Sequence, residues 1–146
     1  MDKKKMEEIL AEIYRNAQLA LQSIADILPE TEDEETRNEL MAQHEGYEKI
    51  CARAAMLARD NEIELKEPNP MKKAMMWGSI KMNTLTDNSR SHIAEMMVQG
   101  TVMGITALRT SAGEASDMDE NDPIFALLQD MIQMEEDYEQ RWKKFL

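Results

Sequence analysis

The sequence predicts an all-α fold, a four-helix bundle forming a single domain over residues 1–146. Three observations predict it. Apolar residues recur at three- and four-residue spacing through four long segments, the period of a helix with one buried face. The four prolines fall between those segments. Aromatic residues make up only 5% of the chain, and the alternating Val, Ile, Thr and Tyr runs of strands are missing.

The first helix is expected over residues 4–28, where Met6, Leu10, Ile13, Ala17, Ala20, Ile24 and Ile27 form one stripe and Pro29 ends it. Thr31 then reads as an N-cap, with Glu34 at the third helical position of a capping box. The second helix runs to about residue 60. Its face is Leu40, His44, Tyr47, Cys51, Ala54 and Ala58, with Ile50 and Leu57 on the flanks. Residues 61–70, NEIELKEPNP, read as a linker, because the residue before Pro68 is biased away from helix. Asn69-Pro70 then places a capping residue before a proline at the first helical position, which predicts a short connecting helix over 70–85. A single helix from 70 to 112 would be about 60 Å long and would overshoot its neighbours. Asp87, Asn88 and Ser89 are good caps and poor helix interior, so a break is expected there. The third main helix then covers 88–112, with Gly113 at its C′ position.

GEASDMDENDP is an acidic loop in which Asp117, Asp119 and Asn121 imitate the opening of a calcium loop. The imitation fails, because Asp122 stands where the glycine belongs and Leu128 where a bidentate glutamate belongs. Asp122-Pro123 starts the last helix, which runs to about 145 with the stripe Phe125, Leu128, Met131, Glu135, Tyr138, Trp142 and Phe145.

The formal charge of −12, with no basic cluster beyond Lys3, Lys4 and Lys5, argues against nucleic acid and anionic membrane surfaces as partners. The opening residues MDKKKMEEILAEIYRN hold no continuous apolar stretch, so no secretory signal is expected, and no segment reaches the roughly 18 apolar residues of a membrane span. A single cysteine, Cys51, excludes an internal disulfide and fits the cytoplasm. The 14 methionines sit at helical spacing, as core filling rather than a soft-metal tract.

Di-iron bundles need inward carboxylates from two helices and Glu-x-x-His from the other two. Met41 precedes His44 by three and Ser89 precedes His92 by three, so the sequence has no Glu-x-x-His. A degenerate set remains: His44 with Glu48 at i, i+4 and His92 with Glu95 at i, i+3 would give two nitrogen and two oxygen ligands for Zn²⁺ or Fe²⁺ if the two helices faced each other. A softer set of His44, Cys51, His92 and Met96 is the weaker variant. Cys51, a heptad from His44 on one helix, has no activating neighbour, and Ser89 and Ser91 have no third triad member. Gly100 and Gly104, one turn apart, suggest close approach of another helix. Trp77 and Met76 offer an exposed apolar patch.

With EILAEIYRNAQLALQSI and ETRNELMAQHEGYEKICARAAML as a first helix pair, MKKAMMWGSIKMN in the crossover, and SRSHIAEMMVQGTVMGITAL and IFALLQDMIQMEEDYEQRWKKFL as a second pair, nearly the whole chain resembles a small ferritin-like domain. The resemblance implies a ferritin-like four-helix bundle with a short extra helix between helices 2 and 3, of the uncharacterised bacterial kind that has lost its metal ligands. It carries no ferroxidase activity over, because the Glu-x-x-His positions are unmatched. The expectation is a non-catalytic interaction or structural module that self-associates, as a homo-oligomer and in the simplest case a dimer, without cofactor. The alternative is a metal-binding or oxidoreductase relative that holds iron or zinc at His44, Glu48, His92 and Glu95.

Overall fold

In a computed structural model, which describes residues 3–65, 87–115, 117 and 119–146, the chain folds into four long helices: α1 (Lys3–Ile27), α2 (Glu34–Asp60), α3 (Arg90–Glu114) and α4 (Pro123–Lys143). Among the described residues there is no strand. The expected connecting helix over 70–85, with Trp77 and Met76, lies outside the described residues.

Local chemistry sets each helix end. Pro29 opens a 3₁₀ turn, Leu28–Glu30, that closes α1. The Thr31 hydroxyl donates back to the Ile27 carbonyl at 2.9 Å, so Thr31 serves the end of α1 and does not cap α2 as expected. The cap is Asp33, whose carboxylate accepts from the Thr36 backbone N–H at 3.0 Å and from its hydroxyl at 2.7 Å. These bonds to the charged form hold the Asp33 carboxyl below the usual range. At the other end of α2, Glu62 adopts φ 55°. Around it Ile63 N–H donates to Ala58 and Glu62 N–H to Arg59, a Schellman closure made without the usual glycine. Residues 87–89 are not helical, and Ser89 caps α3 by accepting from His92 N–H at 3.3 Å, at the break foreseen there. Gly113 is not the C′ residue: α3 runs to Glu114, and Ala115 closes it with bonds from its N–H to Ser111 and Ala112. Asp122 caps α4 through Ile124 N–H at 2.8 Å.

The cross-links fix the connectivity. The turn joining α1 to α2 lies at one end of the bundle. There Arg90, at the start of α3, reaches Glu35 at 2.7 Å, and the Asn88 amide donates to the Glu30 carbonyl at 3.0 Å. Arg141, near the end of α4, bonds Glu39 at the same end, and the Arg90 guanidinium stacks 4.4 Å over the Phe145 ring. Lys5 and Asp117, 3.6 Å apart, mark the opposite end. So α1 and α4 run one way and α2 and α3 the other. The pairs α1–α2 and α3–α4 pack most extensively, whereas α2 and α3 scarcely touch and occupy a diagonal.

The core draws one stripe from each helix. In α1 it includes Leu10, Ile13, Ala17, Ile24 and Ile27, as expected. In α2 the buried line is Thr36, Leu40, Gln43, Tyr47, Ile50, Ala54 and Ala58. His44 and Cys51, expected on that line, are only half-buried, a rotation of the stripe by one residue. Met97 and Met131 are buried, but Met41, Met56 and Met103 stand 55%, 56% and 70% exposed, so the methionines fill the core only in part.

Candidate functional site: a buried carboxyl at the bundle centre

Among the described residues, one carboxyl side chain lies in the middle of the core. Glu135 occupies the α4 stripe between Met131 and Trp142 and is 3% exposed. The Tyr47 hydroxyl of α2 donates to its Oε2 at 2.8 Å. On the other side its carboxyl lies against Gly104 of α3, where a Cβ would stand 3.0 Å from Oε2 and 3.1 Å from Oε1. Oε1 has no hydrogen-bond partner among the described residues. Burial pushes the Glu135 pKa up to about 7, and the Tyr47 bond opposes that rise without cancelling it. The same burial, with Glu135 beside it, drives the Tyr47 phenol well above its ordinary value.

The surroundings are built around this pair. Tyr138 meets Tyr47 edge-on, with ring centroids 5.5 Å apart, and burial lifts its phenol to about 12. Gly46 of α2 admits Tyr138, since a Cβ at residue 46 would overlap the Tyr138 hydroxyl. Further along the same α2–α4 seam the buried Trp142 indole donates to Gln43 Oε1 at 2.8 Å. Tyr47, Gly104 and Glu135 all lie near the midpoints of their helices. A carboxyl at this depth presents no surface to a substrate. Burial there favours the protonated carboxyl over the charged one.

The residues singled out as metal ligands do not meet. His44 Nδ1 and Glu48 Oε1 are 2.8 Å apart on the outside of α2, with side-chain exposures of 35% and 61%. His92 is half-buried and its Nε2 has no partner among the described residues, while Glu95, one turn on, is exposed. Glu48 and Glu95 both turn to solvent, so the two pairs do not converge on one point. Among the described residues no three His, Cys, Asp or Glu side chains gather as a metal site would require, so the residues present do not fit a di-iron centre. Cys51 is half-buried, and the Gln18 amide donates to its Sγ at 3.6 Å.

The glycine expectation divides. Gly104 does mark a close approach, by the Glu135 carboxyl rather than by a helix backbone, whereas a Cβ at Gly100 would meet nothing within 4 Å among the described residues. Glu135 stood in the apolar stripe of the last helix, and a glutamate in such a stripe is the signal that identifies the site. Among the described residues no helix is long and apolar enough to cross a membrane. No family model, no curated protein and no solved structure matches this chain.

Proposed function

We propose that this chain is a ferritin-like bundle that works through protein contact rather than through chemistry at its centre. The fold part of the reading is supported by connectivity. Two antiparallel pairs joined so that α2 and α3 run parallel on a diagonal need one long crossover, which is the ferritin-like arrangement among four-helix bundles. The centre supports a structural role, because its one carboxyl is locked between a phenol and a glycine.

The observation that carries the functional part is the outward face of α3. A surface helix normally turns charge to water. Here no charged residue stands between Glu95 and Arg109, and within that span Met103 is 70% and Val102 41% exposed, in a chain that is 32% charged. Large exposed apolar side chains grouped on one uncharged face mark an interaction surface.

Site-specific photo-crosslinking in cells tests this. A photoreactive residue at Met103 is expected to give discrete adducts, and the same residue at exposed Gln129 of α4 is expected to give none. Equal labelling from both positions, or none from Met103, would refute a contact role for α3.

A further inference from the structure

Three properties of the α3 face say what covers it. The first is charge: each copy carries −12, and two copies repel least where a face without charge meets its like. The middle of this face, Met96, Gln99, Met103 and Thr106, is uncharged. The second is apolar exposure: Met103 and Val102 stand 70% and 41% exposed on this face.

The third is the position of the charges that flank the face. Glu95 lies seven residues before Val102 and Arg109 seven residues after it, and both are exposed. We propose that a second copy of this chain docks on the outward face of α3, the two α3 helices packing antiparallel about a two-fold axis at Val102. The proposal rests on the contact role assigned to this face above. In that arrangement Glu95 of each copy faces the partner's Arg109, so two complementary pairs bracket an apolar centre. A parallel arrangement would set glutamate against glutamate and arginine against arginine. Arg109 pairs with Glu136 of its own chain, yet its side chain stays 61% exposed, and a guanidinium has donors for a second carboxylate.

Sedimentation equilibrium of the full chain tests the proposal, with circular dichroism confirming that each variant keeps its helix content. The wild type is expected to sediment as a dimer. Met103→Glu sets two carboxylates together at the apolar centre and is expected to weaken the dimer by more than roughly a hundredfold. Glu95→Arg and Arg109→Glu, each alone, turn both pairs repulsive and are expected to weaken it by roughly tenfold. The double reversal restores complementarity and is expected to return the dissociation constant to within about threefold of wild type, since each exposed pair is worth little by itself. Single reversals that change nothing, or a double variant no better than either single, would overturn the antiparallel geometry. A monomeric wild type that still cross-links to a different protein from Met103 would overturn the second copy and leave the contact role standing. A monomer without cross-links would remove both.

Discussion

Replacing Glu135 by glutamine removes a titration that the fold resists. The carboxyl is raised from an ordinary 4.5 to about 7 by burial. Below pH 4.5 it is protonated in folded and unfolded chains alike and contributes no pH dependence. Between about 4.5 and 7 the unfolded chain has released the proton and the folded chain keeps it. The folded state therefore binds more protons, and stability falls as pH rises. Above about 7 the full penalty is present. A displacement of this size corresponds to on the order of 3 kcal/mol. Glutamine fills the same volume, can still accept from Tyr47, and has no charge to bury. Urea unfolding of both proteins at pH 4.5, 6 and 8, followed by circular dichroism, measures the difference. Other carboxylates titrate in both proteins and cancel. The variant is expected to gain stability relative to wild type steadily with pH, by roughly 3 kcal/mol at pH 8 compared with pH 4.5. A difference that stays constant across that range would show that Glu135 does not titrate as a buried group, and the account of the bundle centre would fail.

Gly46→Ala should destabilise by roughly 1–3 kcal/mol, because its methyl would overlap the Tyr138 hydroxyl; Tyr138→Phe in the same chain should recover most of the loss, read as a non-additive pair in urea unfolding. Glu62→Gly should stabilise by about 1 kcal/mol, since it relieves a left-handed backbone in a non-glycine residue, and thermal unfolding reads the rise. Asp33→Ala should cost about 1 kcal/mol through the lost cap of α2, read in urea unfolding, and an unchanged stability would show that Asp33 does not cap the helix.

The four helices were legible because each carries its own periodic stripe, and because Pro29, Ser89 and Asp122-Pro123 punctuate the chain locally. The α2 stripe was not fully legible. Leu40, Tyr47, Ala54 and Ala58 fit two registers that differ in taking Gln43 and Ile50 or His44 and Cys51 between them. Polarity favours neither histidine nor glutamine for the core. The decision comes from the Trp142 indole, 99 residues away, which gives Gln43 a buried partner. The same holds for Thr31 and Asp33: both are good caps, and the extra 3₁₀ turn after Pro29 assigns Thr31 to the helix before it. Glu135 was visible as a polar residue in an apolar stripe, but its meaning depends on Tyr47 and Gly104 from two other helices. The His44, Glu48, His92 and Glu95 set needed both pairs turned inward, and a local motif does not reveal that Glu48 and Glu95 face solvent.

Pulsed dipolar spectroscopy on singly spin-labelled chains, in a Cys51→Ala background, tests the docking of a second copy on α3 most directly. A single label gives a distance only when two copies meet. Labels at Thr110→Cys and Glu114→Cys lie beyond the apolar centre of the face. For antiparallel helices about 9 Å apart crossing at Val102, the backbone separations are about 26 Å at residue 110 and about 37 Å at residue 114. Antiparallel docking makes the measured distance increase by roughly 11 Å from the first label to the second. Equal short distances at both positions would mean parallel helices, and no dipolar signal at either would mean that the uncharged face of α3 meets no second copy.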